Sequence, residues 1–265
     1  MFPLRDNIPS SRVPVVNYGL IACCALVFFL QMGDPGGELI QKFGMIPLRV
    51  SHPDESITVE MPQRVSTPLG PQIVTVQEPL PAPAFRPWTT LLSCVFLHGS
   101  LMHLIGNMWF LYIFGDNVED RLGSSGYLVF FLGCGIAASF AHYALEPDSP
   151  VPTIGASGAV AGVMGAYMVL YPHGQVLTLV PIFFFLQFLV IPAPVFLGIW
   201  FVLQLVQGTF SMGNTQAAGV AWWAHVGGFA AGAAVALLLG RRPEQTARAR
   251  VQVIDPNRRT RIFRR

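Results

Sequence analysis

Between Trp88 and Gly240 the chain carries only six charged side chains: Asp116, Glu119, Asp120, Arg121, Glu146 and Asp148. They fall in two tight clusters, separated by long apolar stretches. No soluble domain can cover its surface with so few charges. Over the whole chain 11% of residues are charged and 52% are hydrophobic, against about 25% charged in an ordinary soluble domain. This composition excludes a disordered or collagen-like chain and argues against a soluble enzyme. Its natural solvent is a bilayer.

Of the remaining charges, four basic and six acidic lie in residues 33–87 and the rest sit at the two ends of the chain. Nine arginines follow Gly240, from Arg241 to Arg265, against Glu244 and Asp255. Arg5 and Arg12 precede Val13–Met32, a run of twenty residues without charge. At 1.5 Å per residue such a run reaches about 30 Å, one hydrocarbon core. It is long for a signal peptide and no A-x-A site follows it, so it reads as a retained first span. Further apolar segments run over Leu101–Gly115, Tyr127–Leu145, Gly158–Tyr171, about Pro194–Gln207 and Ala221–Leu239. An apolar approach from Thr90 to Leu97 leads into the first of these. Ile191-Pro192-Ala193-Pro194 breaks the run Val176–Gln207, because two prolines cannot sit inside one helix. The stretch before the break reads as a partly extended connection.

The expected fold is therefore all-α: a polytopic bundle of six transmembrane helices. Residues 1–12 form a cytoplasmic segment, 13–32 the first span, and 33–87 a long exterior loop with room for a small hairpin. Residues 88–240 form a core with five further spans, and 241–265 a basic cytoplasmic tail. An even count puts both termini on one side, and both flanks are basic, so the positive-inside rule makes that side cytoplasmic. A bacterial inner membrane is the expected setting. The arginine tail reads as a topology signal next to a span, with nucleic acid not expected as a partner. Cys23, Cys24, Cys94 and Cys134 lie in apolar stretches without regular spacing. They are expected to be buried small hydrophobes, not disulfides or metal ligands.

Polar residues inside spans are candidates for function by default. The informative ones are His98, His103, Asn107, Ser157 and His225; His142 and His173 lie near span ends. Ser157 opens a small-residue helix in Gly155-Ala156-Ser157-Gly158. Free backbone N–H groups and the positive dipole end at such a place favour an oxyanion, although a plain N-cap serine fits the same pattern. His225 lies early in the last span, where a neutral imidazole can take and return a proton or simply satisfy a backbone carbonyl. Gly158 and Gly162 form one small-xxx-small pair, and Gly228 and Gly232 another. Such pairs let two membrane helices approach closely enough to join Ser157 to His225. His103 and Asn107, four apart, share a helix face and can donate to an anionic oxygen or to a neighbouring helix. His98, His103 and Asn107 lack HExxH spacing and no carboxylate lies near them in sequence, so no metal or other cofactor is expected.

Taken in order, His98-x4-His103-x3-Asn107, Gly155-Ala156-Ser157-Gly158 and Ala224-His225-x2-Gly228-x3-Gly232 resemble the motifs of the rhomboid intramembrane serine proteases. Phe114–Gly123 also resembles the loop after their second span. The resemblance covers about Trp88 to Leu239. It implies a Ser157–His225 dyad, with Ser157 as nucleophile and His225 as general base. It further implies an oxyanion hole of His103, Asn107 and the Ser157 N–H, a structural His98, and a Glu119 that ties the second span to its neighbours. The implied substrates are single-span membrane proteins cut in or near the span, with no obligate protein partner. Where many rhomboids place an aromatic ring one turn after the serine, this chain has Ala161. Either Trp222 or Trp223 then holds the His225 ring, or the ring is held less firmly. The alternative function is a catalytically inactive relative that binds or escorts membrane clients; a transporter is disfavoured by the lack of inverted-repeat symmetry.

Overall fold

The computed structural model describes all residues except 68–69, 80, 183–184, 212–220 and 241–265. The arginine tail, and the role expected for it, lies outside the described residues. The chain is mostly helical. Among the described residues, four helices are long and apolar enough to cross a bilayer: α1 (Val15–Met32), α6 (Ser124–Leu145), α8 (Ala193–Ser211) and α9 (Trp222–Leu239). A fifth candidate is a bent pair, in which the turns over Pro87–Phe96 meet α5 (Leu101–Leu122) at 79°. The bent approach includes the single-turn α4 (Thr90–Ser93). The remaining apolar helix, α7 (Ser157–Leu170), has 14 residues. At 1.5 Å per residue it is about 21 Å long, some 9 Å short of a hydrocarbon core. By length it does not count as a span, although it is the most enclosed helix of the bundle.

Short contacts fix which helix ends lie together. At one end Glu119, near the end of α5, accepts from the N–H groups of Val16 and Asn17 at the start of α1 (3.1 and 2.8 Å) and from Ser124 Oγ at the start of α6. Arg121 donates to the carbonyls of Leu239 and Gly240 at the end of α9 (2.9 Å each). There a cation meets the negative end of the helix dipole. At the opposite end Gln31 of α1 exchanges two hydrogen bonds with the backbone of His98. The charges Asp116, Glu119, Asp120 and Arg121, expected in a loop, thus occupy the last two turns of α5. Glu119 and Arg121 tie helix ends together, and Asp120 accepts from the N–H and hydroxyl of Ser11 ahead of α1 (3.2 and 2.8 Å).

The long segment after α1 folds against the second end. It forms α2 (Glu38–Phe43), α3 (Pro47–Ser51) and an antiparallel hairpin of β2 (Thr58–Thr67) and β3 (Gly70–Pro79). The buried Arg49 guanidinium organises it, donating to the carbonyls of Gln41, Gly44 and Pro81 at 2.8–2.9 Å. Burial lowers its pKa from the usual value. A bridge between Met45 and Thr153 attaches this segment to the loop that leads into α7.

The first end carries a feature absent from the sequence reading. Residues Phe2–Asp6 form β1, which pairs antiparallel with β4 (Gln175–Ile182), and β4 pairs with β5 (Phe185–Pro192). The extended connection before Pro194 is therefore two strands of a small sheet, so the fold is all-α only in its membrane bundle. Among the cysteines, Cys24, Cys94 and Cys134 are buried, but Cys23 is exposed. The physical reason is that α1 touches the bundle through one stripe only, Asn17, Leu20 and Cys24. Cys23 lies about 100° round the helix from Cys24, with Leu26, Phe29 and Leu30 on the apolar outer surface.

Candidate active site

The centre of the bundle is the packing of α7 on α9, and it is made of backbone. A Cβ on Gly228 would overlap the carbonyl of Gly158, and a Cβ on Gly232 would overlap that of Gly162. Gly165 faces the carbonyl of Phe229 in the same way. Glycines at these positions let the two helices touch at main-chain distance. At the same seam Gly158 and Gly162 also receive Ala138 and Cys134 of α6.

That close approach brings Ser157, the first residue of α7, to His225 in the first turn of α9. Ser157 Oγ lies 2.8 Å from His225 Nε2. The other ring nitrogen, Nδ1, lies 2.6 Å from the side-chain oxygen of Gln204 on α8. Two aromatic rings flank the imidazole: Trp200 of α8 at 5.8 Å between centroids, and Trp222 at 6.0 Å and nearly perpendicular. Of the two tryptophans expected to hold the ring, Trp222 reaches it; Trp223 packs against Gly208 instead. Ala161 is fully buried in the α7 seam.

The residues before Ser157 are held in an unusual conformation. Gly155 has φ +120°, a region that L side chains rarely adopt. Its N–H donates to the Cys94 carbonyl at 2.9 Å. A Cβ there would fall 2.6 Å from His103 Cε1 and 3.6 Å from Asn107 Nδ2. The loop backbone therefore lies directly against the two polar side chains of α5. That helix starts with Ser100, whose hydroxyl accepts from the His103 N–H and caps it. Asn107 is buried and its Nδ2 has no hydrogen-bond partner among the described residues. His98 stands behind, fully buried, its ring edge-on to His103 at 5.2 Å.

Ser157, His225, His103 and Asn107 line one cavity of about 640 Å³, together with Gln204 and Trp222. The arrangement offers a nucleophile beside a base. It also offers the free N–H groups of a helix N-terminus and an unpaired amide donor nearby. Of the sequence candidates, Gly155, Gly158, Gly228 and Gly232 shape this site, His98 supports it, and Glu119 lies at the other end of α5. The sequence reading missed Gln204 and Trp200. A signal was present for Gln204, an amide among apolar neighbours in a span, although Gln207 three residues on shares it.

The rhomboid domain family model matches residues 86–242, which include every residue of the cavity named above. Among curated proteins, the chain is 37% identical to Rhomboid-like protein 11, chloroplastic, of Arabidopsis thaliana over 79 residues, 30% of this chain and 28% of that one. It is 38% identical to Rhomboid protease GluP of Bacillus subtilis over 81 residues, 31% of this chain and 15% of that one. The mouse Presenilin-associated rhomboid-like protein, mitochondrial, is 30% identical over 98 residues, 36% of this chain and 26% of that protein. The matched part thus spans less than a third of the length of each of these relatives.

Proposed function

We propose, from the premise that this chain belongs to the rhomboid family, that it is an intramembrane serine endopeptidase acting through Ser157 and His225. The observation that carries this reading is the 2.8 Å contact between Ser157 Oγ and His225 Nε2 inside the cavity.

Ser157 Oγ attacks the carbonyl carbon of a substrate peptide bond while its proton passes to His225 Nε2. Negative charge develops on the carbonyl oxygen, and the Ser157 N–H, His103 and Asn107 Nδ2 receive it. The C–N bond then breaks, with His225 returning the proton to the leaving amine. The product at this stage is an ester of Ser157. A water that loses its proton to His225 attacks that ester, and the new carboxylate departs with Ser157 reprotonated. Asn107 suits its part because an amide without a partner is ready to donate where charge appears.

The substrates of this reading are single-span membrane proteins. A helical segment hides its carbonyls in hydrogen bonds to the next turn, so the cleaved segment must be extended on entering the cavity. The short α7 supports a site within the membrane, because a 14-residue helix cannot reach both faces and Ser157 begins it. In this reading α7 completes a set of six spans, both termini are cytoplasmic, and the cavity opens to the exterior.

The test is cleavage of a model single-span substrate, with labelling by a fluorophosphonate probe, in wild type, Ser157→Ala and His225→Ala. The serine variant is expected to lose both activities and the histidine variant to fall near background. Normal cleavage by folded Ser157→Ala protein would overturn the mechanism. A wild type that is neither labelled nor cleaves any membrane substrate would favour the client-binding alternative. In the same cells, a reporter placed in residues 53–56 should read as exterior; a cytoplasmic reading would overturn the orientation.

A further inference from the structure

The helix that opens with Ser157 does not hold the base. Ala161, one turn on, offers no ring and is fully enclosed. The groups around His225 come instead from α8 and from the start of α9. Trp200 and Gln204 are four residues apart on α8, so they share one face. Trp200 lies against the imidazole and Gln204 meets its Nδ1 edge. Gln204 and His225 are 7% and 8% exposed, so neither can readily exchange its partner for water.

Resting on the protease reading above, we propose that Gln204 is the positioning residue of the general base. Its side-chain carbonyl accepts the His225 Nδ1–H and so fixes the tautomer whose Nε2 lone pair faces Ser157. The chemistry of the two groups carries the argument. A neutral imidazole has one N–H and one lone pair, and an amide oxygen can only accept. With Gln204 Oε1 facing Nδ1 at 2.6 Å, the two bond only when the proton is on Nδ1. The nitrogen 2.8 Å from Ser157 Oγ is then free to take the serine proton. The opposite tautomer would point an N–H at Ser157 and leave no base. A carboxylate in this place would stabilise the imidazolium more strongly, but an ion buried among Trp200, Trp222 and apolar helix faces carries a large desolvation penalty. A neutral amide gives the orientation without that charge. The arrangement also ties catalysis to the seat of α8 on α9, which rests on the stacking of Phe201 on Phe229 at 4.6 Å.

The experiment uses the full-length protein in detergent with ¹⁵N-labelled histidine, as wild type, Gln204→Met and Gln204→Glu. Methionine keeps the length and lacks the acceptor; glutamate keeps an acceptor oxygen. His225 is assigned from the signal lost in His225→Ala. Its ring nitrogens are read by NMR alongside the rate of fluorophosphonate labelling of Ser157. Wild type should show the Nδ1–H tautomer. Gln204→Met should show mixed tautomers and about tenfold slower labelling, the effect of one net hydrogen bond, and Gln204→Glu should restore the Nδ1–H form and most of the rate. A labelled wild type in the Nε2–H form, or Gln204→Met labelled at the wild-type rate, overturns the proposal and leaves the protease reading standing. A wild type in the Nδ1–H form that is never labelled sinks the protease reading and leaves the Gln204 contact standing. Should Gln204→Met fail to fold, the wild-type tautomer and the glutamate variant still decide.

Discussion

Asn107 shows how a single side chain declares a purpose through what it lacks. A buried donor without a partner typically costs about 1–3 kcal/mol, and Nδ2 of Asn107 is such a donor. Gly155, at φ +120°, brings loop backbone against it and against His103. The fold therefore holds an amide aimed at a space beside the nucleophile without quenching it. If that space receives the oxyanion, Asn107→Ala should lower turnover about a hundredfold, the low end for one such donor. KM should hardly change, because the interaction belongs to the transition state. The melting temperature should hold or rise, since the orphaned donor is gone. Steady-state kinetics on a membrane substrate with parallel melting curves make the check. Intact turnover with a clearly lowered melting temperature would show an interhelical structural amide instead.

At the scale of elements, the seam between α7 and α9 decides whether Ser157 and His225 meet. Gly232→Val would drive a side chain into the Gly162 carbonyl, and overpacking of this kind costs about 1–3 kcal/mol. Parting the helices also opens the 2.8 Å contact, so cleavage should fall to near background even in protein that remains folded. Gly133 is the control, because a Cβ there meets nothing within 4 Å; Gly133→Ala should keep full activity and its melting temperature or gain slightly in helix propensity. Equal loss in both variants would mean that helix content, not close approach, matters. This seam was readable in advance because its glycines recur at a fixed spacing on each helix. The α8 contact was not, because Gln204 and Gln207 look alike in the sequence, and only tertiary packing brings Gln204 to His225. Likewise no local pattern marks Phe2–Asp6 as the partner of Gln175–Ile182. Strand pairing over so long a separation is set by the bundle that brings the ends together. The apolar run ahead of Pro192 was ambiguous for a related reason: short apolar stretches fit buried strand and helix equally.

On the scale of the whole molecule, the bundle has two unlike ends. One carries the cavity and the long segment around Arg49; the other is closed by the sheet of β1, β4 and β5. Asp6, at the close of β1, anchors the sheet to the bundle. Its carboxylate oxygen accepts from Tyr167 Oη, on the helix that begins with Ser157, and from Asn117 Nδ2 at 3.0 Å. Burial pushes the Asp6 pKa up to about 8; the Tyr167 hydrogen bond works against that rise and the nearby Asp116 adds to it. The unfolded chain sheds this proton near the ordinary value of 3.8, whereas the folded protein keeps it until about pH 8. Between these limits the folded state binds more protons, so stability must fall as pH rises through the window. Below it both states are protonated and Asp6 makes no contribution; above it both are ionised and the full penalty applies. Asp6→Asn keeps a carbonyl acceptor for the same donors and cannot ionise. Its melting temperature relative to wild type, measured in detergent, should therefore be constant below about pH 4. It should climb in favour of the variant up to about pH 8 and level off beyond. Parallel melting curves across that range would mean that Asp6 is ionised in the folded protein and that its neighbours, not burial, govern its charge.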